Sequence, residues 1–115
     1  MSQIIPKNRL HAFSKQKGRC YYCKVPMWIG KSDEFASTYG IRGKQVKRFQ
    51  CTAEHLLARQ DGGTDERKNI VAACFFCNST RHRASKALPP EMYRKKVMRR
   101  IRRQKWHPTD CHHML

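Results

Sequence analysis

Two Cys-x-x-Cys pairs constrain the fold of this chain more than any other sequence feature. Cys20 and Cys23 form the first pair, and Cys74 and Cys77 form the second, 51 positions beyond Cys23. Each pair can bind one side of a tetrahedral Zn²⁺ ion at about 2.3 Å per sulfur, and four thiolates leave no coordination position for water. The alternative, four buried or free thiols, explains two matched pairs less well. The spacing therefore predicts a structural zinc site that joins the two pairs.

The length of the chain supports the same interpretation. With 115 residues, the chain fits a single domain over residues 1–115, and a core of this size needs additional stabilisation. The segment Met1–Pro6 shows neither the apolar region nor the cleavage site of a signal peptide. We therefore expect a cytoplasmic, reducing environment, in which paired cysteines bind metal more often than they form disulfides.

The charge of the chain indicates a polyanionic partner. Lys and Arg number 25 against 8 Asp and Glu, which gives a formal net charge of +17. Nucleic acid is the leading candidate because Lys and Arg contacts to its phosphates release counterions. An anionic membrane is the alternative, although no run of the sequence approaches the roughly 18 apolar residues of a spanning helix.

Helix and strand signals place both cysteine pairs between regular elements. Apolar spacing and turn residues predict two strands that form a hairpin with a long polar loop. A helix is expected to follow the second cysteine pair, and Pro90 opens a further helix. The predicted strands span residues 49–55 and 69–73, and the predicted helices span residues 6–16, 32–39, 78–87 and 90 to about 105. Residues 42–48 are basic and fit either a helix or a loop.

Smaller signals set expectations for individual helices. Leu10 and Phe13 would share one face of the first helix. Ser32 is expected to cap the second helix and Gly40 to end it. An i,i+4 stripe in the last helix would face the core, and it consists of Tyr93, Val97 and Ile101.

Four polar residues near the second cysteine pair could form an open metal site. His55 can take a proton near neutral pH, whereas Glu54 should point to the other side of the strand unless the strand ends there. Asn78 and His82 lie four residues apart and would share one helix face. With a carboxylate opposite them, they would suit Mg²⁺, Mn²⁺, Ni²⁺ or Zn²⁺. The alternatives are a helix-capping role for Asn78 and a surface position for His82.

The order and spacing of these residues resemble the HNH endonuclease family in its zinc-stapled form. The resemblance is carried by residues 54–63 and 69–78, and with both cysteine pairs it covers about residues 20–82. It implies a small α+β fold of the ββα-metal type with flanking helices. It also implies that His55 is the general base, that Glu54 and Asn78 hold the catalytic ion, and that Asn69 braces the loop and orients His55.

The chain departs from the usual family pattern at two positions. Glu54 stands where the family usually has Asp, and Asn78 stands where it usually has His. An amide ligand is more typical of Mg²⁺ or Mn²⁺ than of Zn²⁺. Some relatives carry a further His four residues after this position, which makes His82 a candidate third ligand.

The expected activity is metal-dependent hydrolysis of DNA phosphodiesters that leaves 5′-phosphate and 3′-hydroxyl ends. Residues 81–105 contain eleven Lys and Arg and only one acidic residue, Glu91. This excess of positive charge favours contact with the DNA backbone. The candidate phosphate contacts are Arg59, Arg81, Arg83, Arg99, Arg100 and Arg103. The rival interpretation is a non-catalytic, zinc-stabilised module that binds nucleic acid through the basic helix.

Two features stay outside this scheme. The segment 106–115 is rich in metal-ligand residue types, and a second metal site is one interpretation of it. The simpler expectation is an ordered Trp106 followed by a loose end, because chain termini are usually mobile. Cys51 has no partner in the pattern, and on a strand it is most simply a buried thiol. The sequence leaves the oligomeric state open.

Overall fold

A computed structural model describes residues 3–115 and shows a small mixed α/β fold, as expected. Within these residues there are five helices, two strands and three short 3₁₀ turns. The helices are α1 (Ile4–Lys15), α2 (Ser32–Tyr39), α3 (Lys44–Arg48), α4 (Phe75–Arg83) and α5 (Pro90–Arg102). The strands are β1 (Cys51–His55) and β2 (Ile70–Cys74), and the 3₁₀ turns are Arg59–Asp61, Arg67–Asn69 and Thr109–Met114.

The two strands form the antiparallel ribbon that the sequence predicts. In its register Cys51 lies opposite Cys74, and His55 lies opposite Ile70. Strand β1 begins later than expected because the N–H of Phe49 bonds the carbonyl of Val46 at 3.2 Å in a turn, and Gln50 forms only an isolated bridge with Trp28. Strand β2 begins later because a 3₁₀ turn precedes it. The ribbon therefore presents its ends, where His55 and the second cysteine pair lie, to the flanking helices.

Helix α1 packs through a face that only partly matches the expected one. Asn8 and Ala12 are its buried residues and Phe13 packs against the core from a partly buried position, whereas Leu10 is 54% exposed. Polar contacts determine this rotation of the helix. Gln16 at the end of α1 bonds both the carbonyl (2.8 Å) and the N–H (3.0 Å) of Ala72 in β2. The amide of Asn8 bonds the loop between the strands, so hydrogen bonds outweigh the burial of one leucine.

The caps of α2 and α4 agree only partly with the helix ends predicted from the sequence. Gly40 ends α2 in the left-handed conformation at φ 64, as expected, but Ser32 is the first helical residue and does not cap it. Helix α4 begins at Phe75, earlier than predicted, because Cys74 caps it by accepting the N–H of Cys77 at 3.4 Å. Asn78 is therefore inside the helix, which excludes its capping role.

Helix α5 follows its predicted pattern. Tyr93 and Val97 are buried, and Ile101 packs against the core from a partly buried position. The helix ends at Arg102, slightly before the expected limit, and Gln104 then adopts a positive φ of 57 that turns the chain. The hydroxyl of Tyr93 donates to the carbonyl of Cys77 at 2.7 Å, which ties α5 to the second cysteine pair.

The C-terminal segment is packed, so the expectation of a loose end is wrong. Cys111 and Met114 are buried in a final 3₁₀ turn. Arg48 of α3 holds the segment, since its guanidinium donates to the carbonyl of Trp106 at 2.6 Å and to Nδ1 of His107 at 2.9 Å. Within residues 3–115, no helix is both long and apolar enough to cross a membrane.

Candidate metal centres and active site

The four cysteines of the two pairs meet in one buried cluster. Their sulfur atoms all lie within 4.8 Å of one another. No other group of three or more His, Cys, Asp or Glu in residues 3–115 converges in this way. The Sγ atoms of Cys23 and Cys74 are 3.9 Å apart. Four sulfurs placed about 2.3 Å from one ion are separated by about 3.8 Å along each tetrahedral edge. The cluster is thus positioned to bind a metal ion.

Hydrogen-bond donors surround these sulfurs. Cys20 Sγ accepts the backbone N–H groups of Tyr22 at 3.4 Å and of Cys74 at 3.3 Å. Cys77 Sγ accepts the indole N–H of Trp106 at 3.3 Å. Burial would raise the pKa of Cys20, but hydrogen bonds from the other three cysteines hold it well below its ordinary value. Burial raises the pKa of Cys74 and of Cys77. The cluster therefore favours negative charge on at least one sulfur.

The C-terminal segment does not form a second centre of this kind. Nε2 of His112 contacts the carbonyl of His107 at 2.9 Å, and Nε2 of His113 contacts the carbonyl of Tyr39 at 2.7 Å. Cys111 is buried beside them as a free thiol. The imidazoles of this segment act as structural hydrogen-bonding groups, so a second metal is not supported.

An open cleft of about 490 Å³ lies at the end of the ribbon. Glu54 and His55 both line it, although adjacent strand residues normally point to opposite sides. Both can do so because β1 ends at His55. The other lining residues come from the following loop and from α4, and they are Ala53, Ala58, Arg59, Gln60, Asn78 and His82.

Glu54 presents one carboxylate oxygen to the cleft and uses the other inside the protein. Its side chain is 1% exposed. Oε2 accepts the hydroxyl of Tyr22 at 3.0 Å and Nη1 of Arg81 at 3.0 Å. Oε1 lies 2.8 Å from Nε2 of His82. Burial and the nearby carboxylate raise the pKa of Tyr22, so its phenol remains a neutral donor to Glu54. Oε2 is thus occupied inside the protein, and Oε1 is the oxygen that contacts His82.

Asn78 lies on the same helix as His82 and adds an amide to the polar groups of the cleft. Its Nδ2 donates to the hydroxyl of Thr52 at 3.0 Å and to the carbonyl of Ala53 at 3.3 Å. Its carbonyl oxygen makes no hydrogen bond within the described chain. One carboxylate oxygen, one amide oxygen and one imidazole nitrogen thus line one cleft, which is a donor set that fits a divalent ion with water in the remaining positions.

His55 contacts a carboxylate that the sequence predictions did not include. Its Nε2 lies 2.8 Å from Oδ1 of Asp65. The guanidinium of Arg59 donates to both oxygens of Asp65, at 3.0 Å and 3.1 Å. The hydrogen bond with His55, followed by that with Arg59, lowers the pKa of Asp65. Asp65 is therefore ionised near neutral pH and can only accept from the imidazole.

Asn69 braces the loop but does not orient His55 as the resemblance implies. Its Nδ2 donates to the carbonyls of Leu57 at 3.0 Å and Thr64 at 2.8 Å, and its Oδ1 accepts the N–H of Leu57 at 2.9 Å. The partner of the His55 ring is Asp65 instead, because the loop closed by Asn69 carries Asp65 to it. Gly63 is required there, since a Cβ at this position would overlap the carbonyl of Leu57.

The arginines named as phosphate contacts occupy different environments. Arg81 is 5% exposed and forms a buried ion pair with Glu54, so its prediction as a phosphate contact is wrong. Arg59 is 59% exposed at the cleft and paired with Asp65. The remaining four have exposed side chains, and they are Arg83, Arg99, Arg100 and Arg103.

Sequence reasoning missed three residues that shape this site. Tyr22 lies inside the first cysteine pair, where its spacing carries no sign of a contact with Glu54. Asp65 lies in the long polar loop predicted between the strands, and a carboxylate ten residues after His55 is a usable signal. Asn8, whose amide donates to the carbonyl of Asp65 at 2.8 Å, gave no signal because its partner is 57 positions away.

Comparison with known proteins places this site within a recognised family segment. Neither the curated proteins nor the solved structures gave a significant match. Residues 42–84 match the family model described as HNH endonuclease. The matched segment contains both strands, α4 and every residue lining the cleft, whereas the first cysteine pair lies outside it. The resemblance to the HNH endonuclease family is therefore confirmed for residues 42–84.

Proposed function

We propose that this protein is a metal-dependent DNA endonuclease. The observation that carries the proposal is the cleft at the end of the ribbon, which gathers His55, Glu54, Asn78 and His82 inside the segment matched to the HNH endonuclease family. Phosphodiester hydrolysis needs a general base to activate water and a divalent ion to stabilise the charge on the phosphate. The cleft places a candidate base next to candidate ligands for such an ion.

The catalytic ion would be held by Oε1 of Glu54, the amide oxygen of Asn78 and Nε2 of His82. When bound, a divalent ion supplies Lewis-acid stabilisation of the scissile phosphate and of the leaving 3′ oxygen. Two oxygen donors and one imidazole favour Mg²⁺ or Mn²⁺, and Ni²⁺ or Zn²⁺ can occupy the same donors. Arg81 and Tyr22 keep the other oxygen of Glu54 fixed, so the carboxylate meets the ion already oriented.

The chain's own residues carry the proton transfer and the charge on the phosphate. His55 removes a proton from a water molecule, whose oxygen forms a bond to phosphorus while the P–O3′ bond breaks. The departing O3′ takes a proton from solvent in the open cleft, which leaves 5′-phosphate and 3′-hydroxyl ends. Arg59 at the cleft and Arg83 at the end of α4 are the cations available to neutralise the phosphate. Asn69 keeps the loop closed during this step.

The remaining charge of the protein suits a DNA backbone. Helix α5 and the residues after it carry exposed arginines, including Arg99, Arg100 and Arg103. Such contacts supply affinity without reading sequence. The buried cluster of four cysteines would hold a structural Zn²⁺, because four thiolates and no open position are the ligand set of structural zinc sites.

The rival function, a non-catalytic zinc module that binds nucleic acid, makes use of the cysteine cluster and of α5 but not of the cleft. Plasmid nicking separates the two. The native protein, with Mg²⁺ or Mn²⁺ added, should convert supercoiled plasmid to nicked or linear DNA. His55→Ala should lose this activity while binding DNA normally. His113→Ala, at an exposed histidine of the C-terminal segment outside the cleft, is the matched control and should cleave like the native protein.

The chemistry of the DNA ends and the choice of divalent ion provide two further tests. Ligase should reseal the nicks without added kinase, since the expected ends are 5′-phosphate and 3′-hydroxyl. DNA binding without cleavage in Mg²⁺, Mn²⁺, Ni²⁺ and Zn²⁺ would support the binding module instead. Undiminished cleavage by His55→Ala would remove His55 from the role of general base.

A further inference from the structure

We propose that Asp65 is the positioning residue for His55, and that Asn8 of α1 holds Asp65 in place, so that helix α1 is part of the catalytic apparatus. The orientation of the ring is a property of the protein alone. Its consequence for catalysis rests on the proposed function.

The contact between the two side chains defines the state of the His55 ring. An ionised carboxylate can only accept hydrogen bonds, so Oδ1 of Asp65 at 2.8 Å requires a proton on Nε2 of His55. In the neutral ring Nδ1 then carries the lone pair. Within the described chain Nδ1 has no hydrogen-bond partner, and His55 lines the cleft. The nitrogen available to accept a proton from water is therefore Nδ1.

The position of Asp65 is fixed by two asparagines that hold consecutive carbonyl groups. Asn69 donates to the carbonyl of Thr64 at 2.8 Å, and Asn8 donates to the carbonyl of Asp65 at 2.8 Å. With both peptide groups restrained, the Asp65 side chain is held against His55. Arg59 further restrains the carboxylate through both oxygens.

The environment of Asn8 shows that this contact shapes the packing of α1. Asn8 is 5% exposed, and a buried amide lowers stability unless it finds partners. The same helix leaves Leu10 54% exposed, so it buries an amide in preference to a large apolar group. The rotation of α1 that places Asn8 against the loop is the one that Gln16 fixes on the ribbon. Helix α1 is therefore attached at both the ribbon and the catalytic loop.

The active site needs a part of the chain outside the segment that the family model matches. Helix α1 lies outside residues 42–84, the segment that the family model matches. The matched segment holds His55, Asp65 and Asn69 but lacks Asn8, whose amide holds the carbonyl of Asp65. A complete active site then depends on a contact spanning 57 positions.

Nuclear magnetic resonance of the zinc-loaded full-length protein tests the orientation without requiring cleavage. The native protein should show a downfield ring N–H signal from Nε2 of His55, slowed in exchange by the carboxylate and assigned by its absence in His55→Ala. Asp65→Ala should lose the signal, and Asn8→Ala should broaden or weaken it. Asp61→Asn, at a second exposed aspartate of the same loop, is the control and should keep it.

Steady-state cleavage of plasmid DNA tests the catalytic consequence on the same variants. Asp65→Ala should lower kcat by about 10²-fold or more with KM nearly unchanged, because general-base assistance contributes about 10²- to 10⁴-fold. Asn8→Ala should lower kcat in the same direction by a smaller factor. Retention of the ring signal or of full kcat in Asp65→Ala would overturn the proposal, and since Asp65 is partly exposed, this variant does not threaten folding.

The ring N–H signal and the cleavage assay distinguish failure of the Asp65–His55 orientation from failure of the proposed function. A native protein that shows the ring signal but cleaves no DNA would contradict the proposed function and leave the Asp65–His55 orientation established. A native protein that cleaves DNA but lacks the signal would contradict the orientation alone. An equal loss of kcat in Asp61→Asn would show a general loop effect and would also contradict the specific role of Asp65.

Discussion

Nη1 of Arg81 lies 3.0 Å from Oε2 of Glu54, and both side chains are removed from solvent. The same guanidinium donates to the carbonyls of His55 at 3.3 Å and Leu88 at 3.0 Å. Arg81 thus joins the end of β1, helix α4 and the segment before α5 around one carboxylate. Its role in the structure is to hold Glu54, which explains why an arginine so near the cleft is unavailable to a phosphate.

Removing Arg81 should destabilise the protein strongly. Arg81→Ala leaves the Glu54 carboxylate buried without its cation, and breaking a buried pair in this way costs about 3–5 kcal/mol. Arg83→Ala, two residues further along the same helix but exposed, should change the free energy of unfolding by no more than about 0.5 kcal/mol. Urea denaturation with zinc present measures both. Similar small effects in the two variants would show that the buried pair does not stabilise the fold.

The structural metal should depend on the four clustered cysteines and on no other cysteine. Cys74→Ser should remove the bound zinc and much of the folded structure, because the energy of metal binding in such sites is folding energy. Cys51→Ala changes a buried thiol outside the cluster and should retain one zinc per chain. Zinc content and thermal unfolding check this prediction. Loss of zinc in both variants would mean that misfolding, not ligand removal, is responsible.

The elements that the sequence predicts well are those governed by local spacing. The cysteine pairs, the two strands and the last helix each follow from residues close together in the chain, and Gly40 ended its helix as expected because a left-handed residue has a local signature. The cleft residues Glu54 and Asn78 followed from motif spacing in the same way.

The features that the sequence did not predict depend on contacts between distant segments. Periodicity favoured Leu10 as the inner face of α1, but hydrogen bonds from Asn8 and Gln16 set the rotation of that helix. Arg81 and Arg83 cannot be told apart from the sequence around them. Arg81 is buried because it pairs with Glu54, whereas Arg83 is exposed. The C-terminal segment was expected to be loose because its anchor, Arg48, lies 58 positions before Trp106.

The catalytic metal should become harder to bind when His82 is removed. His82→Ala deletes a candidate ligand from a side chain that is 35% exposed, so the fold should be retained. Loss of even an outer partner of a metal ligand typically weakens metal affinity by about 10–100-fold, and loss of a ligand should cost at least as much. Titrating plasmid cleavage with Mn²⁺ measures the change. An unaltered Mn²⁺ requirement would exclude His82 from the ligand set.

Acid should weaken the packing of the C-terminal segment through His107. Burial, with a contribution from Arg48, lowers the pKa of His107 to about 4. Its unfolded pKa is near 6.5, so its stabilising effect is complete above that pH and is lost as the pH falls towards 4. Between pH 6.5 and 5.5 the protein should lose roughly 1 kcal/mol relative to His107→Gln. Urea denaturation of both proteins at each pH cancels the acid sensitivity of the zinc site.

DNA affinity should depend on salt through the exposed arginines at the end of α5 and directly after it. Replacing three phosphate contacts should reduce the slope of log K against log salt by about 2.7, since each contact contributes about 0.9 for duplex DNA. The test variant carries Gln at Arg99, Arg100 and Arg103. The control carries Gln at three exposed cations outside the cleft and outside α5, namely Lys31, Arg42 and Lys44. Fluorescence anisotropy with a short labelled duplex, measured over a range of salt concentrations, gives both slopes.

A specific binding surface predicts that the two triple variants differ, although each removes the same charge. If affinity arose only from the net charge of +17, both would weaken binding equally and their slopes would agree. Contact by the last helix instead lowers the slope for the variant at Arg99, Arg100 and Arg103 and leaves the control near the native value. Because binding is measured without divalent ions, the result does not depend on cleavage. Equal slopes would therefore remove the last helix from the DNA-binding surface while leaving the cleft and its chemistry unaffected.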